Sequence, residues 1–257
     1  MDNELITADG LANTNMAMMK MENESIQSLA MAKPRDIKAI KDDIKEQIEH
    51  YPAFAEKMVY ARPVGFDQKT GKQKIARGLS IRAAEALAEA YGFNRIRCEV
   101  DDIDDSKVRV TATFTDLQRG RIWQDVGIVS KNYKSRYGKM ERYDDHRFYS
   151  LILKSEMSKR VREVILRCIS AGLKEELRQL AEQYMAKMLS GEGVSKIVER
   201  FAELNVDVPQ LESYIGRPIG NGWTDDDRVT LLSTYNAIKD GLTTVKEVFG
   251  ESRDKDG

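Results

Sequence analysis

The chain has few of the residues that build metal centres, disulfide frameworks or membrane spans. It contains two cysteines, two histidines and five prolines among 257 residues. Cys98 and Cys168 form neither a CxxC pair nor a cluster with histidine, so the sequence predicts no disulfide framework and no zinc site, and it indicates a reducing cytosol. No apolar run approaches the roughly 20 residues of a membrane span. The first residues lack a basic segment followed by an apolar one, so we expect no secretory signal.

Positive charge is concentrated in the middle of an otherwise balanced chain. The formal net charge is -1, from 41 basic and 42 acidic residues. Between Asp116 and Arg167, however, thirteen lysines and arginines stand against seven acidic residues. The ends are acidic, with five acids and two bases in residues 1–33 and thirteen acids and eight bases in residues 190–257. A local excess of cations is typical of a polyanion site, and acidic ends are typical of protein contacts.

Aromatic residues lie among these cations in the stretch from Ser130 to Arg167. They are Tyr133, Tyr137, Tyr143, His146, Phe148 and Tyr149. Cations that follow phosphates and rings that stack on bases suit single-stranded nucleic acid. The simpler alternative is a flexible loop followed by a solvated, charged helix.

The hydrophobic pattern predicts an α+β fold: a helix, a three-stranded antiparallel meander and a long helix form the core, and a small all-α domain follows. Ser80 is typical of an N-cap for a helix over 81–91, and Gly92 is typical of the residue that ends it. Alternating apolar residues and short turns predict strands near 94–102, 107–115 and 121–130. A basic loop over 130–146 is expected to lead into the long helix.

Composition predicts four segments. We expect residues 1–33 to be an acidic, mainly disordered segment, although residues 11–32 have a weak helical pattern. Residues 34–189 are expected to bind nucleic acid, and residues 194–250 to form a separate helical domain that binds protein partners. The stretch Ser190-Gly191-Glu192-Gly193 is typical of a linker between them. Residues 251–257 are expected to be a frayed tail.

Candidate nucleic-acid-binding residues fall into three groups, and no residue is assigned a catalytic or metal-binding role. One face of the first two strands carries cations that like-charge repulsion would disfavour without an anionic ligand, unless Glu99, Asp101 and solvent screen them. The helix cations have the alternative of pairing with Glu156 and Glu163 at helical spacing. The strand group is Arg95, Arg97, Lys107 and Arg109; the loop group is Lys131, Tyr133, Lys134, Arg136, Tyr137, Lys139 and Arg142; the helix group is Lys154, Lys159, Arg160 and Arg167.

Three segments resemble a group of phage recombination proteins, the RecT/Redβ-type single-strand annealing superfamily. They read PRDIKAIKDDIKEQIEH, GLSIRAAEALAEAYGF and RYDDHRFYSLILKSEMSKRVREVIL, within residues 34–185. The resemblance implies binding and annealing of single-stranded DNA by a homo-oligomer, a ring or a filament, without ATP or another cofactor. It also implies a location in the cytoplasm of a bacterial host cell.

The C-terminal segment resembles the small helical module of phage annealing proteins. It reads QLESYIGRPIGNGWTDDDRVTLLSTYNAIKDG and continues with TTVKEVFG. The resemblance implies that this module contacts a phage exonuclease or the host single-strand-binding protein.

Three other functions fit parts of the same pattern. The order helix, three strands, helix also describes double-stranded-RNA modules. A magnesium-dependent nuclease would need carboxylates, and the candidates are Glu85, Asp101, Asp102, Asp104 and Asp105. A structural protein would use the basic helix for oligomerisation alone.

Overall fold

A three-stranded antiparallel sheet with one helix across it forms the centre of the computed structural model, which describes residues 8–66, 73–135, 137–191, 194–219 and 222–250. The strands are β1 Val59–Phe66, β2 Gln73–Leu79, β3 Asn94–Asp104, β4 Lys107–Asp116, β5 Arg121–Ser130, β6 Asn132–Lys134 and β7 Met140–Arg142. The helices are α1 Ala8–Ala32, α2 Ile37–His50, α3 Pro52–Lys57, α4 Ile81–Tyr91, α5 Asp145–Arg147, α6 Lys154–Cys168, α7 Ala171–Gly191, α8 Val194–Ala202, α9 Val208–Ile215, α10 Asp225–Lys239 and α11 Val245–Phe249. A π-helical segment, Phe148–Leu153, joins α5 to α6.

Side chains at the helix ends account for several of these boundaries. The Ser80 hydroxyl accepts a hydrogen bond from the Ala83 N–H at the start of α4, and Gly92 ends that helix at φ 60°. Thr224 at the start of α10 forms a capping box with Asp227, in which each side chain accepts from the other residue's N–H. Because caps satisfy N–H groups that have no partner within the helix, they fix where a helix begins.

The sheet has the order β3-β4-β5, with both pairs antiparallel, so the predicted α+β class and meander are confirmed. Along β4, Val108, Val110, Ala112 and Phe114 are buried and alternate with more exposed residues. Helix α6 packs on this buried face through residues such as Val164. The opposite face of the sheet carries no helix in the described part of the chain.

The C-terminal helices share one core with the rest of the chain, which corrects the prediction of a separate domain. Helix α10 packs on β1, α3 and α7, and its buried Leu231 belongs to the same cluster as Met58 of the N-terminal half. Asn236 donates a hydrogen bond to the Glu56 carbonyl at 2.6 Å. Arg77 forms an ion pair with Asp226 at 2.8 Å. The apolar residues of this segment therefore cover the β1–β2 hairpin as well as one another.

The N-terminal segment is helical where mainly disorder was predicted. Helix α1 spans Ala8–Ala32, and the Gln118 side chain holds its last turn by donating to the carbonyls of Ala30 at 2.8 Å and Lys33 at 3.1 Å. The predicted frayed tail, residues 251–257, lies outside the described residues.

Candidate nucleic-acid interface

The strand group of predicted cations lies on the open face of the sheet, opposite α6. Arg97, Lys107 and Arg109 are exposed and Arg95 is half-buried. Arg109 is the register partner of Asp101 across β3 and β4. Even so, within the described residues none of the four cations has a carboxylate oxygen within 4.0 Å. The screening by Glu99 and Asp101 that we considered as the alternative therefore involves no direct ion pair.

The predicted basic loop contains a hairpin, β6–β7, that is fixed to one end of the sheet. The Lys131 N–H donates to the Ser106 carbonyl at 2.7 Å, in the turn between β3 and β4. The Tyr143 N–H donates to the Lys131 carbonyl at 2.9 Å, and Arg142 Nη1 donates to the Asp105 carbonyl at 2.9 Å. This is the end of the sheet at which Lys107 begins β4, so the loop group and part of the strand group are neighbours.

The outer side of the hairpin presents cations and one ring to solvent. Tyr137 is 92% exposed, Lys134 and Lys139 are exposed, and the Arg142 side chain is 52% exposed. Arg142 approaches the Asp145 carboxylate only to 4.0 Å. Arg136, also predicted to bind, lies outside the described residues. We call Lys107, Arg109, Lys134, Tyr137, Lys139 and Arg142 the sheet–hairpin surface.

Several nearby carboxylates already have partners within the protein. Asp102 accepts from Lys131, Asp104 accepts from Ser106, Glu141 accepts from the Tyr133 hydroxyl, and Asp144 caps α5 at the Arg147 N–H. Of these four carboxylates, Asp102 alone is neutralised by a cation of the described residues, and the hydrogen bonds of the other three fix their positions. None of the four lies within 4.0 Å of a described cation of the sheet–hairpin surface, so those cations remain available to an anionic ligand.

Two of the predicted loop residues hold the hairpin in place instead of facing solvent. Lys131 is 8% exposed and its ammonium lies 2.8 Å from Asp102, and this hydrogen bond raises the pKa of Lys131. Tyr133 stacks on Tyr143 with ring centroids 4.5 Å apart. The Tyr133 hydroxyl donates to Glu141 at 2.9 Å, which raises the pKa of Tyr133. A base would have to displace Tyr143 to stack on this face of the ring.

The helix group is largely paired within the protein. Lys159 pairs with Glu156 at 2.9 Å, and Arg167 pairs with Glu163 at 3.2 Å, as the helical spacing allowed. Asp125 of β5 is a further partner, 2.7 Å from Arg160 and 3.3 Å from Arg167. Lys154 is exposed at the start of α6. The pairing alternative therefore describes three of the four helix cations.

Gly127 explains how Arg160 reaches across the edge strand. A Cβ at Gly127 would lie 1.7 Å from Arg160 Nη2, so a side chain there would occupy the position of the guanidinium. Arg160 thus lies against the β5 backbone and links α6 to Asp125. A glycine inside a predicted strand is a signal of such a close approach, and sequence reasoning did not use it.

Apart from the sheet–hairpin surface, a polar cavity of about 230 Å³ lies between α6 and β1. The Arg162 guanidinium stacks over the Tyr60 ring, 4.7 Å from its centroid. Of the residues that line this cavity, only Lys159 and Arg160 were among the predicted nucleic-acid-binding residues. Its charged lining is mixed: Arg62, Lys159, Arg160 and Arg162 stand beside Asp125, Glu156 and Glu163. Because these charges nearly balance, the cavity is a weaker anion site than the sheet–hairpin surface.

Neither a metal-binding group nor a membrane span is found where the structure describes the chain. No three His, Cys, Asp or Glu side chains there stand close enough to hold a metal ion. The carboxylates considered for a nuclease, those of Glu85, Asp101, Asp102, Asp104 and Asp105, therefore do not converge. No described helix is both long and apolar enough to cross a membrane.

Comparison with protein-family models, curated proteins and solved structures finds no match for this chain. The side chains described above are therefore the basis for a proposed function.

Proposed function

We propose that the chain binds single-stranded DNA through the sheet–hairpin surface and anneals complementary strands, as a homo-oligomer and without ATP, a metal or a catalytic residue. The observation that carries this proposal is a group of exposed cations beside a tyrosine that is 92% exposed, and no carboxylate of the described residues lies closer than 4.0 Å to these cations. Arg95 and Arg97 extend the cationic track to the other end of the same sheet face.

The chemistry of annealing matches what this surface offers. Lysine and arginine neutralise phosphates and release counterions, which is a sequence-independent contribution to binding. Exposed rings stack on bases of any sequence. An annealing protein has to lower the repulsion between two strands while leaving their bases free to pair. Cations on a sheet face and a hairpin supply the first requirement, and no nucleophile is needed for the second.

We also propose protein partners for the C-terminal helices, namely a phage exonuclease or a host single-strand-binding protein in the bacterial cytoplasm. The exposed carboxylates at the start of α10 support a contact with protein and disfavour one with DNA; Asp226 is 74% exposed.

A triple variant in which alanine replaces Lys134, Lys139 and Arg142 is expected to bind single-stranded DNA more weakly. The affinity of this variant should also depend less on salt concentration. Each lost phosphate contact lowers the slope of log K against log salt by about 0.7, so the slope should fall by about 2. Fluorescence anisotropy with a labelled oligonucleotide at several salt concentrations measures both quantities. The matched control replaces Lys20, Lys38 and Lys45, three lysines that are also exposed but lie on α1 and α2.

An unchanged slope in the hairpin variant, with its circular dichroism intact, would contradict this assignment of the surface. Competition with duplex RNA in the same assay tests the double-stranded-RNA alternative, which requires the duplex to bind more tightly than single-stranded DNA.

Tyr137→Ala is expected to lower affinity for single-stranded DNA by about 1–3 kcal/mol, and Tyr137→Phe to be nearly neutral, because a stacking contribution depends on the ring. Tyr51→Ala is the control, since Tyr51 is 64% exposed but lies between α2 and α3. Equal losses in the Phe and Ala variants, measured by anisotropy, would show that the hydroxyl matters and stacking does not.

A further inference from the structure

The described side chains of helix α1, those of residues 17–32, are mostly exposed to solvent. Among the α1 side chains that the structure describes, residues 17–32, Ala30 alone is buried, while Asn23 and Ile26 are half-buried. The hydrogen bonds from Gln118 hold only the last turn. Isolated helices are marginal in water unless an apolar face is packed against something. Over residues 17–29, whose side chains the structure describes, α1 therefore lacks the packing that normally stabilises a helix.

An apolar stripe on α1 faces solvent. Met18, Met21 and Leu29 are 61%, 71% and 60% exposed. At 100° per residue they fall within about 80° of one another around the helix, and they span about 17 Å along it. Glu22 is one turn from Met18, at i+4, and is the acidic residue on this side of the helix among the described side chains.

A second apolar stripe lies on the open face of β5. Ile122, Val126 and Ile128 are 67%, 53% and 64% exposed, and their even spacing places them on the face opposite α6. They span about 20 Å along the strand. On the neighbouring strand β4, Arg109 lies opposite Ile128, while Thr111 and Thr115 lie opposite Val126 and Ile122. An exposed apolar group of this size with a polar border is typical of a protein interface.

We propose that α1 of one copy packs along the open face of β5 in a second copy. The two stripes have nearly the same length, and Glu22 beside one complements Arg109 beside the other. Both stripes are exposed in a single chain, so the described part of α1 does not cover the β5 stripe of its own sheet. The last turn of α1 is tied to the β4–β5 turn through Gln118.

The contact joins two different surfaces, so it is heterologous and can repeat from copy to copy. Each copy offers one helix and one strand face, and such head-to-tail contacts close into rings or extend as filaments. The helix would follow the β5 side of the sheet, while the hairpin and β3 remain outside the contact. The inference uses no property of DNA, but it rests on the homo-oligomer of the proposed function and places α1 beside Arg109 of the sheet–hairpin surface.

Disulfide trapping between two different variants tests whether the contact is made between copies. Met21→Cys protein is mixed with Val126→Cys protein under mild oxidation, and a disulfide-linked dimer is detected by non-reducing electrophoresis. We expect the dimer in the mixture and not with either variant alone. Gln27→Cys is the control partner, because Gln27 is exposed but lies about 120° or more from Met18, Met21 and Leu29 around α1. Trapping that is equally efficient with Gln27→Cys would overturn the proposed register.

The mass in solution, measured by light scattering without DNA, is the second readout. The wild-type chain should be oligomeric, and the triple variant Ile122→Thr, Val126→Thr, Ile128→Thr should be a monomer with unchanged circular dichroism, since threonine keeps a high strand propensity. Gln27→Ser should retain the wild-type mass. A monomeric wild-type protein, or a triple variant that keeps the wild-type mass, would overturn the inference. Either result leaves the salt-slope test of DNA binding intact. A monomeric wild-type protein would also contradict the homo-oligomer of the proposed function, whereas a triple variant that keeps the wild-type mass overturns this contact alone.

Discussion

Removing residues 190–257 is expected to unfold the remaining chain. The deleted part contributes Phe201, Leu211, Trp223, Leu231 and Leu232, all at most 2% exposed, to the core that includes β1 and α3. Removing them exposes the apolar side chains of β1 and α3 that they cover, and each large one left exposed costs about 1.5–3 kcal/mol. Exposing a few such side chains offsets the stability of a typical domain, about 5–15 kcal/mol. Thermal melting followed by circular dichroism should show no cooperative transition for the truncated chain.

Deleting the N-terminal residues through Ala32 is the matched control, because among the described side chains of α1 Ala30 alone is buried. That variant should melt close to the wild-type temperature. A chain ending at Leu189 that melts like the wild type, and that binds DNA, would restore the separate C-terminal domain predicted from composition.

Asp116→Ala is expected to lower the free energy of unfolding by about 3–5 kcal/mol, the usual result of leaving a buried charge without its partner. The Asp116 side chain is fully buried and pairs with Arg35 at 3.0 Å, whose side chain is 5% exposed. Arg35 also donates to the carbonyls of Tyr91 and Gly92 and lies 3.4 Å above the centroid of the Tyr91 ring. Asp116 accepts further hydrogen bonds from the N–H groups of Gln118 and Arg119. The variant therefore disturbs the connection between α2, α4 and the β4–β5 turn.

Urea denaturation measures this difference, with Asp226→Ala as the control. Asp226 also pairs with an arginine, Arg77, but its side chain is 74% exposed, so its loss should cost about 0–1 kcal/mol. Equal losses in the two variants would contradict the view that burial makes the Arg35–Asp116 pair important. The double variant Arg35→Ala, Asp116→Ala should lose less than the sum of the single variants, because no unpaired charge remains.

Local patterns were enough to predict the centre of the fold. The period of 3.6 in α4, with Ser80 before it and Gly92 after it, and the alternation along β3 and β4, each identify an element without knowledge of its neighbours. The structure confirms these elements and the meander they form. Long-range pairs were not predicted, because 81 residues separate Arg35 from Asp116 and no spacing rule relates them.

The C-terminal helices show where composition misleads. An acidic segment after Gly191 and Gly193 resembles an independent domain behind a linker. Its apolar residues, however, face β1 and α3 as well as one another. Periodicity identifies a buried face but does not say which part of the chain covers it. The same limit applies to α1, whose weak pattern was interpreted as mainly disorder.

The candidate site was predicted in outline but not residue by residue. The sequence located the basic stretch and its tyrosines, and the structure places Lys134, Tyr137, Lys139 and Arg142 on the outside of a hairpin. Sequence spacing did not distinguish these from Lys131, which is buried against Asp102 from another strand. It also did not reveal Asp125 as the partner of Arg160. Whether a cation is free depends on carboxylates that are far away in the sequence, and only the tertiary structure shows which of these lie close to it.

The rate of annealing of two complementary labelled oligonucleotides, followed by fluorescence without ATP or magnesium, tests the central proposal most directly. The proposal predicts that the wild-type chain accelerates annealing well above the spontaneous rate. The variant with alanine at Lys134, Lys139 and Arg142 should lose most of this acceleration at moderate salt. The control variant with alanine at Lys20, Lys38 and Lys45 should retain the acceleration. A wild-type chain that leaves the spontaneous rate unchanged would contradict the proposal.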